Sequence, residues 1–156
     1  MSKIEVVTNI NAPIERVFDL SRSIDLHTLS TAKTGESAVA GVVSGLIGMG
    51  ESVTWRAKHF GVWQNLTSKI VAFESPVHFR DSLAQGAFKR FDHDHFFEAR
   101  ANETLMTDIF DYESPFGFAG KIADSLFLED YMRRLLIERN RVIKETAESE
   151  GWQRFL

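Results

Sequence analysis

Between Glu36 and Glu113 the chain is a succession of short segments in which apolar and polar residues alternate, and this pattern limits the fold more than any other. A period of two places residues i and i+2 on one face of an extended strand. In "ESVTWRAKHFG", Val53, Trp55, Ala57 and His59 share one face, and Thr54, Arg56 and Lys58 the other. "NLTSKIVAF" sets Leu66, Ser68 and Ile70 against Thr67 and Lys69. Pro76, the "AQGA" turn and the "ANET" turn punctuate the run, and loops this short join antiparallel neighbours. With a strand near Glu36–Val43, about six strands are expected here, preceded by an opening strand in "KIEVVTNINA".

Helical signals flank the alternating block. "APIERVFDL" reads as a short helix, with Pro13 at its first position and Glu15 able to reach an open backbone N–H. A second short helix is expected behind the capping Ser23. From Gly120 to about Glu148 apolar residues recur at spacings of three and four, namely Leu128, Tyr131, Met132, Leu135, Leu136, Val142 and Ile143. That stripe predicts one long helix with a single buried face. The fold class is therefore α+β, a curved antiparallel sheet of about seven strands closed over by the C-terminal helix. A chain of 156 residues is expected to form one domain, residues 1–156.

Composition excludes several chemistries. The sequence has no cysteine, which rules out disulfides, thiolate metal sites and thiol nucleophiles. A net charge of −4 gives no global attraction to nucleic acid. No apolar run reaches membrane-spanning length and no signal-peptide pattern opens the chain, so no stable membrane insertion and a cytoplasmic location are expected. Thirteen phenylalanines are the outlier, enough ring surface to fill a core or line a cavity. Gly45, Gly48 and Gly50 lack the lysine and context of a phosphate-binding loop and are expected in a mobile loop at a pocket mouth. His27 and His78 are expected to be exposed, and the tail with Trp152, Phe155 and Leu156 to fray.

The chain as a whole resembles the START-like (SRPBCC) helix-grip superfamily, which includes the Bet v 1-like proteins and polyketide cyclases. The resemblance rests on "INAPIERVFDL", on "GESVTWRAKHFG" and on the last helix. More narrowly it is similar to a bacterial ligand-binding branch with a "D…GxF…HxH…F" segment before "TxMxDxFxYxSPxG". Here these are Asp81, Gly86, Phe88, His93, His95 and Phe97, then Thr104, Met106, Asp108, Phe110, Tyr112, Pro115 and Gly117. The chain departs from the usual Gly-Pro turn at Gly86-Ala87. The resemblance implies a cavity between sheet and helix for a small hydrophobic or aromatic molecule. It leaves the activity open, because one such fold hosts carriers, receptors, cyclases and chaperone partners.

Strand parity locates the candidate site. In "RFDHDHFFEA", Phe91, His93, His95 and Phe97 share a face, while Asp92, Asp94 and Glu98 share the other, which reads as solvated. With the following turn centred on Asn102 and Glu103, Phe97 opposes Asp108 and His95 opposes Phe110, so His95 and Asp108 are diagonal neighbours. Asp81 joins them if its register agrees. Three readings stay open for this cluster: two imidazoles and a carboxylate holding a metal ion, buried pairs that satisfy one another, or polar groups orienting a ligand's end. The pocket reading is carried forward, with Trp55, His59, Asp81, Phe91, His93, His95, Phe97, Met106, Asp108, Phe110 and Tyr112 as ligand-binding residues. It assigns neither metal nor cofactor. The alternatives are an enzyme of cyclase or dehydratase type using His95 and Asp108 for proton transfer, and a protein-interaction module. Oligomeric state is not readable.

Overall fold

The computed structural model describes residues 2–114 and 127–156. Strand β1 (Ser2–Ile10) leads into helices α1 (Ile14–Ser21) and α2 (Ile24–Ser30) and a short 3-10 turn. Six strands follow: β2 (Ser37–Gly41), β3 (Ser52–His59), β4 (Val62–Glu74), β5 (His78–Gln85), β6 (Arg90–Arg100) and β7 (Glu103–Glu113). Helix α3 (Glu129–Ala147) and a 3-10 turn (Glu150–Arg154) end the chain. The sheet has seven strands in the order β1-β7-β6-β5-β4-β3-β2, every pair antiparallel. The alternation in the sequence thus reports a meander whose first strand closes onto its last. The segment containing Pro115 and Gly117, and the first turns expected of the long helix, lie outside the described residues.

Local signals act largely as their chemistry requires. Ser23 caps α2, its hydroxyl accepting the Leu26 N–H at 3.2 Å. Pro13 sits one position earlier than the sequence suggests, as the extended residue before α1, and no side chain caps that helix. The β3–β4 turn is Phe60-Gly61 with φ of 53° and 79°, the primed geometry that matches strand twist. Glycine takes this without strain, but a bulky residue rarely does.

The β6–β7 turn differs from expectation by one residue. It is Ala101-Asn102, with Arg100 opposite Glu103 and Ala101 at φ 54°. Moving a turn by one residue moves every pair by two, so the inward set is kept while its partners change. His95 now lies opposite Asp108, His93 opposite Phe110, and Phe97 opposite Met106.

Phenylalanines build the floor of the core. Phe18 of α1 meets Phe73, Phe79 and Phe97 edge-on at 5.3–5.5 Å between ring centroids. Edge-to-face contact lets the positive rim of one ring meet the negative face of another. The tail does not fray: Trp152 and Phe155 pack against this core, and the Arg16 guanidinium lies 4.2 Å over the Trp152 ring. The glycine loop is also pinned, by Ile24 N–H to the Gly45 carbonyl, Ile47 N–H to that of Arg22, and Gly50 N–H to that of Ile70. Ile47 is buried beneath it. Among the described residues no helix is long and apolar enough to cross a membrane.

Phe18 anchors three rings at once, so Phe18→Ala is expected to lower stability by about 3–5 kcal/mol. Urea denaturation monitored by circular dichroism measures the loss.

Candidate functional site

Helix α3 crosses the concave face of the sheet without filling it, leaving a cavity of about 420 Å³. Its sheet wall comes from Trp55, Ala57 and His59 on β3, Leu66, Ser68 and Ile70 on β4, Phe79 and Asp81 on β5, and Phe91, His93 and His95 on β6. Phe110 of β7 completes that wall. Tyr131, Met132, Leu135, Leu136 and Arg139 face it from α3, and His27 from α2. The period-two and period-3.6 stripes converge because each element turns its apolar side away from water.

At one end the wall becomes polar around Asp108, which has no solvent exposure. His93 donates from Nε2 to Asp108 Oδ1 at 3.0 Å. His95 Nδ1 also lies 3.0 Å from Oδ1, off the line of a good hydrogen bond. Asn140 donates to Oδ2 at 2.7 Å, and Arg139 Nη1 reaches Oδ1 at 3.4 Å. Arg139 is itself held by the Asn140 side-chain oxygen at 2.9 Å and the Ser21 carbonyl at 3.0 Å. On the cavity side, His95 Nε2 meets Asp81 Oδ1 at 2.8 Å, while His93 Nδ1 lies 3.8 Å from the same oxygen. Phe79 stacks on the His95 ring at 4.1 Å, fixing its plane.

This arrangement separates the proton affinities of neighbouring groups. Burial by itself pushes Asp108 up, but the His93 bond, the close approach of His95 and the Arg139 charge hold it well below the usual carboxylate range. Asp81 is lowered against burial by the His95 bond and the charge of the histidine pair. Burial and the adjacent His95 charge lower His93. For His95 burial is outweighed by its two carboxylate neighbours, and its value rises.

Polar groups also mark the opposite rim. His59 Nδ1 contacts the Tyr131 hydroxyl at 2.5 Å, and burial lowers the His59 pKa. Phe60, 67% exposed, covers Tyr131 with ring centroids 4.6 Å apart. His27 lies tilted against Trp55, with ring centroids 4.2 Å apart, and pairs with Glu36 at 2.7 Å, so it is not the free surface group expected. His78, likewise, is held by Asp94 at 2.7 Å and stacks on Phe96. Asp94 is nearly buried, between His78 and the two prongs of Arg80, on a sheet face expected to be solvated.

Of the residues singled out from sequence, Trp55, His59, Asp81, Phe91, His93, His95 and Phe110 reach the cavity wall. Phe97, Met106, Asp108 and Tyr112 point the same way but lie behind it. Phe97 and Met106 are covered by α1, with the Ser21 hydroxyl 3.4 Å from the Met106 sulfur. Tyr112 is roofed by Phe88 at 5.6 Å. Asp108 is enclosed by its four partners. Parity predicts the face of a strand, but not which part of that face a helix covers. Arg139 and Asn140 were missed although a signal existed: both fall on the apolar stripe, three and four residues after Leu136. A cation on a buried stripe requires a buried anion opposite.

No family model and no curated protein matches this sequence. Solved structures do. TTHA0849 from Thermus thermophilus superposes with a TM-score of 0.76 at 16% identity, over 94% of this chain and 97% of that one. Major latex-like protein 151 from Panax ginseng gives 0.70 at 18% identity, over 95% and 98%. Ara h 8.0201 gives 0.66 at 10% identity, over 91% and 97%. The chain has the Bet v 1-like helix-grip fold. The superposition of seven strands and a closing helix at such low identity carries this, and it concerns architecture alone.

Asp108→Asn strips Arg139 of its buried counter-charge and is expected to lower stability at neutral pH by about 3–5 kcal/mol. A carboxylate whose folded-state pKa is depressed contributes fully above its unfolded value, about pH 4, and loses that contribution as pH falls through the folded value. The gap between wild type and variant should therefore narrow in acid, as read by chemical denaturation at a series of pH values.

Proposed function

We propose that this protein binds a small apolar or aromatic molecule between the concave sheet and α3. The observation that carries the reading is the cavity itself, about 420 Å³ of mostly apolar wall with its polar groups gathered at the ends. Binding sites of this size bury a ligand's body against hydrophobic surface and use a few placed polar groups to orient it. Trp55, Phe91, Phe110 and Leu136 would hold the body, and Asp81, His93 and His95 would meet a polar end. The fold shared with a major latex-like protein fits a carrier or receptor of this kind, without specifying the ligand.

A second reading follows from His95 lying between two carboxylates. A histidine whose proton affinity is raised and whose ring is fixed can act as a general acid toward a substrate beside Asp81. In that case His95→Gln abolishes turnover of a substrate while its binding persists.

Fluorescence titration with 1-anilinonaphthalene-8-sulfonate tests the binding reading. Wild type is expected to take up one dye per chain, and Leu135→Trp, which enlarges a side chain facing the cavity, to weaken it about tenfold or more at unchanged fold. The reading fails if the dye does not bind and native mass spectrometry of protein from its host finds no small molecule.

A further inference from the structure

Asp108 decides which nitrogens of the histidine pair are left over. It takes the Nε2 side of His93 and the Nδ1 side of His95, each at 3.0 Å. The remaining nitrogens, His93 Nδ1 and His95 Nε2, both turn toward Asp81, at 3.8 and 2.8 Å from its Oδ1. The donor atoms of Asp81, His93 and His95 all lie within 4.8 Å of one another. Ligands bound tetrahedrally to zinc at their usual lengths stand about 3.4 Å apart, so small side-chain shifts bring these three onto one ion.

We propose that Asp81 Oδ1, His93 Nδ1 and His95 Nε2 form a binding site for a divalent transition-metal ion such as zinc, with its remaining coordination positions open to the cavity. The inference goes beyond binding of an apolar molecule and stands whether or not one occupies the cavity.

Two further features support it. The first is charge. With neutral imidazoles, the Arg139 guanidinium is the one cation among the described residues that opposes the carboxylates of Asp81 and Asp108, which leaves one negative charge over in a largely buried cluster. A lone pair on His95 Nε2 facing a carboxylate 2.8 Å away is repulsive until a positive centre stands between them. A proton supplies one such centre, and a metal ion displaces it. The second is the outer shell. Metal-bound imidazoles characteristically give their other nitrogen to a carboxylate, which fixes tautomer and ring orientation. Asp108 serves the His93 ring in this way, with His95 Nδ1 3.0 Å from the same oxygen, and Asn140 fixes Asp108 in turn. The ligands sit on paired strands, Asp81 directly opposite His93, which is a rigid base for a site.

Untagged, chelator-stripped protein titrated with zinc chloride by calorimetry tests the proposal. Wild type should bind one ion per chain. Asp81→Asn and His93→Gln should each weaken binding by more than the roughly 10–100-fold that loss of an outer-shell partner produces. His78→Gln, on the opposite sheet face, should leave it unchanged. Cobalt in place of zinc should give the visible d–d bands of a four- or five-coordinate site, a reading on wild type that needs no variant to fold. The proposal is overturned if wild type binds no stoichiometric zinc and shows no cobalt bands, or if both ligand variants, folded by circular dichroism, bind as tightly as wild type. Neither readout depends on the dye or on an apolar ligand, so failure here leaves the carrier reading standing, and the converse holds.

Discussion

Burying the Asp108 carboxylate beneath a helix is the constraint around which the rest of the structure is arranged. An ion of this size taken out of water loses several kcal/mol of solvation, and recovers it only where partners meet it in good geometry. Here they come from two elements: His93 and His95 on the adjacent strand, Asn140 and Arg139 on α3. Arg139 extends the connection to a third, through the Ser21 carbonyl at the end of α1. Hydrophobic contact alone is non-directional and would tolerate a helix rotated or slid along its axis. The same displacement would strand Asp108 and Arg139 as unpaired buried charges, so the ionic cluster selects one docking of α3.

The cavity follows from that docking. Arg139 and Asn140 tie the C-terminal half of α3 close to the sheet, and behind them Phe18, Phe97 and Met106 pack solidly. Toward its N-terminal half the helix lines the cavity with Tyr131, Met132 and Leu135. Phenylalanine consequently has two roles in one molecule. Phe18, Phe73 and Phe97 fill a core, Phe91 and Phe110 finish a wall, and Phe79 does both. Both sets are inward-facing in sequence, and only the distance to the covering helix separates them.

Legibility varied with the range of the interaction involved. Strand alternation is local, and Val53, Trp55, Ala57 and His59 could be placed on one face from eight consecutive residues. The His93–Asp108 neighbourhood was legible as a shared face but not as pairs, because a turn at Ala101-Asn102 instead of Asn102-Glu103 resets every partner by two. Asp81 could not be placed at all, since β5 reaches its register through bulges in its pairing with β4. His27 and Trp152 read as surface residues because nothing nearby in sequence indicates Trp55 or the α1 side chains that cover them.

The sequence by itself determined the element order, the antiparallel sheet and the inward set of side chains, since period and turn chemistry act over a few residues. Tertiary structure alone decided which inward residues are packed and which face open space, and it brought Asp81, His93 and His95 to a common point. The physical reason is that register, helix docking and the sharing of one carboxylate among four partners depend on groups 13 to 32 positions apart, and no local pattern encodes such a distance.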